Sequence, residues 1–114
     1  MMSYFVFTYN NSLFQKMAHL ITYDIENDKL RTSIAKIIIG KGAMRVQKSV
    51  FYADLSAQQT SLLFEALKAM QEELENGDNI VIIPLFESML NKMVIIGQNP
   101  RLDEAIRPPN SYVF

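Results

Sequence analysis

An α+β fold in a single domain is what the sequence predicts, on three observations. A β-favouring run, His19-Leu20-Ile21-Thr22-Tyr23, ends on one acid, Asp24. Two apolar stripes at helical spacing come after it, each set between a start signal and a stop signal. Strand-like runs lie between and beyond those stripes. A chain of 114 residues has room for one such domain and an ordinary hydrophobic core.

Taken in order, Tyr4-Phe5-Val6-Phe7-Thr8-Tyr9 reads as a strand and Asn10-Asn11-Ser12 as a turn. Met17 offers a second start, which would make residues 1–17 an N-terminal extension. Ala18 to Asp24 is the first core strand, and Leu20 to Tyr23 suit a pleated surface buried on both faces. Asp28 reads as the N-cap of a helix from Lys29 to about Ile39, with Leu30, Ile34, Ile37 and Ile38 on one face. Gly40 and Gly42 stop that helix. Met44 to Leu55 is extended and bends at Lys48-Ser49, as a hairpin or a bulged strand.

Ser56 and Gln59 make a capping box for the second helix. Leu63, Leu67, Met70 and Leu74 form its apolar stripe, and Asn76-Gly77-Asp78 ends it. Asn79 to Phe86 is a further buried strand. Pro84 makes it an edge strand or ends it near there, because a proline nitrogen donates nothing to a ladder. Lys92 to Gly97 is a last short strand, and residues 98–114, with Pro100, Pro108 and Pro109, are expected to be an irregular C-terminal tail.

That order spells a ferredoxin-like βαββαβ domain over residues 18–97, with an additional C-terminal strand. In the usual strand order of this fold the first strand is central and the last lies at an edge. The spare strand, Met93 to Ile96, then needs a partner. Since an uncovered edge invites pairing, a second copy of the chain is the expected one, giving a homodimer.

Composition closes off several classes. With no cysteine there are neither disulfides nor thiolate metal sites, which suits a reducing compartment. A hydrophobic fraction of 49% with 11% aromatics excludes a disordered chain. No apolar run is long enough to span a bilayer, and no basic segment precedes the N-terminal aromatics as in a signal peptide. No membrane partner and a cytoplasmic location are therefore expected. The net charge of -1 hides an asymmetry: Lys29 to Lys48 holds six bases and no acid, while Glu65 to Asp78 holds five acids against Lys68. A local basic patch can bind phosphate on a neutral protein; the plainer account of such runs is a solvated helix face.

Asp24 is the first residue to ask about. A carboxylate at the end of a buried strand is costly unless it is paired, protonated or bound to a cation, yet Asp also starts turns readily. His19, the only histidine, shares the alternation of Ile21 and Tyr23 and not of Asp24, which suits a core or interface position better than a general base. No Ser-His-Asp or Cys-His set can be assembled, and Gly40-Lys41-Gly42 lacks the context of a phosphate-binding P-loop. Arg31, Lys41, Arg45 and Lys48 fit nucleic-acid contacts: Arg offers a fork to phosphate oxygens, Lys a point charge, and neither reads sequence from there.

These pieces carry a resemblance. Thr22-Tyr23-Asp24-Ile25 with Asp28-Lys29-Leu30-Arg31, Gly42 through Arg45-Val46-Gln47-Lys48-Ser49-Val50-Phe51, Leu55-Ser56, Ile80 to Leu85, and Ile95-Ile96-Gly97 resemble the CRISPR-associated protein two family, in order, over about residues 18–97. The resemblance implies a ferredoxin-like protomer, a homodimer whose final strand adds to the partner's sheet, and a place beside a CRISPR integrase subunit. It implies a scaffold for double-stranded DNA and a metal-dependent nuclease acting on RNA or DNA. The family's acid falls on Asp24, as catalytic residue and metal ligand, with two copies near the dimer axis sharing a divalent cation. Mg²⁺ suits that arrangement, since it needs only one or two carboxylates beside phosphate oxygens and water. The alternative is a ferredoxin-like regulatory or toxin-related dimer with no CRISPR role.

Overall fold

Met17–Asp24 forms the first strand, β1. The structure, a computed structural model, describes residues 15–107. The strand and turn expected at 4–12 lie outside them, as does the end of the tail. Strand β1 leads through a short turn into helix α1, Asp28–Gly40. The chain returns as a hairpin, β2 at Met44–Gln47 and β3 at Val50–Leu55. Helix α2 spans Ala57–Lys68, a 3-10 turn covers Gln71–Glu73, and β4 spans Asn79–Leu85. A single turn, α3 at Glu87–Leu90, and a helix, α4 at Pro100–Ile106, complete the described chain.

The four strands make one antiparallel sheet in the order β2-β3-β1-β4. This is the ferredoxin-like order: β1 is central and β4, with Pro84, is at an edge. Ile21 lies between Phe51 of β3 and Ile82 of β4, and Asp24 opposite Asn79. The hairpin expected around Lys48-Ser49 is present, and its register slips between Arg45 and Gln47 as a bulge.

Helices α1 and α2 cover one face of the sheet. Ile21, Tyr23, Ile34, Ile38, Phe51, Leu55, Leu63 and Leu67 form the main core there. The other face is covered more thinly, where Ile106 and Leu102 of α4 pack on Ala18, Val46, Tyr52 and Leu85. Burial of β1 on both sides is therefore only half met, with Leu20 and Thr22 partly accessible. On β4, expected to be buried, Val81 and Ile83 are 46% and 39% exposed, because no helix among the described residues covers them.

Local signals explain most boundaries. The cap of α1 is Asn27, not Asp28: Asn27 has the extended backbone a cap needs, and its Oδ1 accepts from Leu30 N at 2.9 Å. Asp28 instead opens the first turn. The capping box of α2 is complete, with Gln59 N donating to Ser56 Oγ at 3.2 Å and Ser56 N donating to Gln59 Oε1 at 2.8 Å. Helix α2 stops six residues before Leu74, the last residue of its expected stripe. Glu72, Glu73 and Glu75 crowd the end where a helix dipole disfavours negative charge. Met70 and Leu74 still pack against the core from the irregular segment.

Two expectations for the C-terminal part are corrected. Met93 to Ile96 pairs with no strand among the described residues, which hold four strands and no fifth. A strand exists only with a ladder partner, and this segment instead packs Met93 and Ile95 against the second core and leaves Val94 76% and Ile96 96% exposed. The tail is not irregular throughout: Asn99 caps α4 by accepting from Leu102 N at 3.1 Å. Pro100 takes the first helical position, where a missing N–H costs nothing. Among the described residues no helix is long and apolar enough to cross a membrane.

Candidate nucleic-acid interface and metal site

Asp24 closes β1 at the end of the sheet where the chain turns towards α1, and it is exposed. The turn behind it is tied from both sides. Arg31 donates through Nη1 to the carbonyls of Ile25 at 2.9 Å and Glu26 at 3.4 Å, and its Nη2 pairs with Asp28. Asp78, just before β4, accepts from Glu26 N at 3.0 Å on one carboxylate oxygen and from Glu75 N at 2.9 Å on the other. With Asn79 paired to Asp24 across the sheet, the backbone carrying the acid has little freedom left.

A groove of about 640 Å³ opens beside it. Asp24, Arg31, Lys36, Arg45 and Lys48 line it, with Tyr23 in its wall. The fold thus brings α1 and the β2–β3 hairpin to the end of β1. Arg45 lies over the Phe51 ring, its guanidinium carbon 5.1 Å from the centroid, and Tyr23 packs on the same ring at 5.6 Å. This stacking adds attraction and restricts where the Arg45 head can go. Lys48 sits on the hairpin turn and is exposed.

Of the predicted contact residues, Arg31, Arg45 and Lys48 share this groove with Asp24, and Lys41 does not. Lys41 is at the C-terminal cap of α1, exposed and outside the lining. Arg31 is in the groove, but its fork is engaged by carbonyls and Asp28, so it contributes charge and holds the turn. Lys36 lines the groove without having been singled out. Its charge was legible as part of the basic run from Lys29 to Lys48, but its place in the lining one turn beyond Thr32 is set by how α1 packs. His19 is buried at the other end of β1, its Nδ1 2.8 Å from Met17 O, as a core histidine would be.

The donor set bears on a metal. Among the described residues no three His, Cys, Asp or Glu side chains come together. The described residues of one chain therefore offer a single free carboxylate in the groove lining, Asp24, with Asp28 already paired to Arg31. That is too little for a cage built by one protomer. It fits a hard cation that keeps its waters and takes remaining oxygens from phosphate and a second carboxylate.

Fold and groove define a class: a small ferredoxin-like α+β protein whose central strand delivers a carboxylate into a cation-lined groove. Within that class the chain belongs to the CRISPR associated protein Cas2 family, whose model matches residues 17–93. A relative from Chloroflexus aurantiacus, named CRISPR-associated endoribonuclease Cas2 1, is 38% identical over 84 residues, covering 74% of this chain and 88% of that one. Another from Korarchaeum cryptofilum, named CRISPR-associated endoribonuclease Cas2, is 32% identical over 79 residues, covering 69% and 83%. A chain of a partial Cas6-RT-Cas1–Cas2 complex superposes with a TM-score of 0.59 over 74% of this chain and 94% of that one, at 23% identity, and shows the shared fold. The alternative of a regulatory or toxin-related dimer outside CRISPR is not favoured by this membership.

Proposed function

We propose that the chain acts in CRISPR adaptation as a dimeric scaffold for double-stranded DNA, held against an integrase subunit. We propose further that Asp24 gives it metal-dependent endonuclease activity on RNA or DNA. The observation that carries this is the single groove holding Asp24 with Arg31, Lys36, Arg45 and Lys48. Four cations around one cleft suit a phosphate backbone, and contacts of that kind position a duplex without reading its bases. The structure of a relative in a Cas1–Cas2 complex supports the integrase partner. The edge of β4, which has no partner among the described residues, and the exposed Val94 and Ile96 support a second copy as the partner for strand addition.

Asp24 would hold Mg²⁺ together with its counterpart in the second copy, and phosphate oxygens would complete the shell. When bound, the ion supplies a Lewis acid and an activated water. The chain itself supplies a fixed carboxylate, through the turn tied by Arg31 and Asp78, and a cationic wall that holds the phosphate beside it. The test compares wild type and Asp24→Asn in duplex binding and in cleavage of RNA and DNA, with Mg²⁺ and with chelator. Binding retained and cleavage lost in the variant is the expected result. Cleavage that survives Asp24→Asn sinks the enzymatic part, and binding indifferent to Arg45→Ala and Lys48→Ala sinks the scaffold part.

A further inference from the structure

Strand β2 is four residues long, lies at a sheet edge, and is bulged between Arg45 and Gln47. It carries Arg45, and the turn after it carries Lys48. Short bulged edges open easily, and a cation on a mobile edge must be ordered each time it grips a phosphate. Something outside the sheet holds this one. Asn99 Nδ2 donates to Val46 O at 2.8 Å, and Arg101 Nη1 donates to Arg45 O at 3.2 Å. Two neighbouring carbonyls of the edge are thus satisfied by side chains from more than fifty residues further along the chain.

The two donors are themselves well placed. Asn99 uses its amide oxygen to cap α4, accepting from Leu102 N, so its amide nitrogen points away from the helix towards β2. At the far end Arg107 donates to Met93 O and to Asp103 Oδ1, both at 2.7 Å. Ile106 and Leu102 pack on Val46 and Tyr52 underneath. Helix α4 is therefore a strap over the second face of the sheet, fastened at one end to the residues that carry the groove's cations. Asn99 and Arg101 lie beyond residue 93, where the family match ends.

We infer that Asn99 and Arg101 are positioning residues for the nucleic-acid groove, bracing the backbone of Arg45 and Val46 so that Arg45 and Lys48 meet phosphate already ordered. Neither touches the groove itself, and neither is in its lining. Loss of the brace leaves the cations present and their geometry loose, so affinity falls without loss of charge. The inference rests on the proposed duplex binding for its consequence, and on the hydrogen bonds alone for its mechanism.

The experiment separates those two. Asn99→Ser keeps a good helix cap but is too short to place an amide donor on Val46, while Arg101→Lys keeps the charge and loses the fork. Hydrogen exchange of the β2–β3 hairpin amides is measured in wild type and both variants. Protection there should fall by roughly tenfold in the variants while α2 is unmoved. Unchanged hairpin protection overturns the inference, whatever the protein binds. Affinity for a 30-base-pair duplex of arbitrary sequence is then measured for Asn99→Ser, Arg45→Ala and the double variant. Arg45→Ala should cost several-fold less in the Asn99→Ser background than in wild type, because the brace acts through Arg45. Strictly additive losses overturn it, as a merely structural Asn99 would give them. Wild-type protein that binds no duplex, beside variants with a loosened hairpin, retires the proposed function and leaves the brace standing.

Discussion

Single residues set the chemistry at the end of β1. Asp24→Asn keeps the side-chain shape and one acceptor but loses the charge a divalent ion needs. Wild type should gain thermal stability on adding Mg²⁺, following mass action, and Asp24→Asn should not. Equal melts of the two forms under all conditions would leave Asp24 as an ordinary strand-end acid. Asp78 has no place in the groove, yet both its oxygens hold backbone N–H groups on either side of the turn. Asp78→Ala should cost about 1–2 kcal/mol in urea denaturation, the scale of exposed charge-assisted hydrogen bonds. Asp78→Asn should lose less, since one acceptor remains. Tyr52 reports on the opposite face. Burial, and then the negative charge of Asp54, push its phenol above the ordinary value of 10.0. A raised pKa in the folded state means that the unfolded chain gives up the proton first. Stability is therefore full below about pH 10 and falls as pH rises through the folded value, and Tyr52→Phe should flatten that fall.

Elements are held by local signals that can be removed one at a time. The capping box of Ser56 and Gln59 starts α2 under Leu63 and Leu67, so Ser56→Ala should destabilise the protein by about 1 kcal/mol without changing the sheet. Gly42 turns the chain out of α1 at φ 108°, a conformation side chains rarely adopt, and a Cβ there would lie 3.6 Å from Leu55 Cδ2. Space is adequate and backbone is not. Gly42→Ala should therefore lower stability by about 1 kcal/mol or more through strain, seen as a lower midpoint in thermal unfolding. The β2–β3 hairpin depends on tertiary contacts instead, since four bulged residues at an edge have no cap of their own.

At the scale of the whole molecule the two sheet faces are unequal. One carries two helices and the main core; the other carries one strap and leaves Val81, Ile83, Val94 and Ile96 to water. Exposed apolar side chains and a strand edge with no partner among the described residues are what the proposed dimer would cover. Ile96→Lys separates the states cleanly. Its side chain is almost wholly exposed in one protomer, so the variant should fold as well as wild type. It should nevertheless dissociate at protein concentrations where wild type sediments as a dimer. A wild type that sediments as a monomer at micromolar concentration would remove the dimer from the proposal.

Sequence by itself determined the periodic parts. Alternation in β1, the stripe of α1, the Ser56 box and Pro84 on an edge strand were all legible, because period, capping and the missing proline N–H act over a few residues. Asp24, Arg45 and Lys48 were legible as candidates for the same reason: charge and position along a strand or turn are local facts. Tertiary structure decided what depends on distant neighbours. It placed Lys36 in the groove and Lys41 outside it, and it bound the Arg31 fork to carbonyls of the β1–α1 turn. It left Met93 to Ile96 unpaired among the described residues, since a strand is defined by its partner. It also made a helix of Pro100–Ile106, within a stretch expected to be irregular. The amide of Asn99 reaches Val46 across the sheet, a contact set by packing over fifty-three residues of chain and carried by no local pattern.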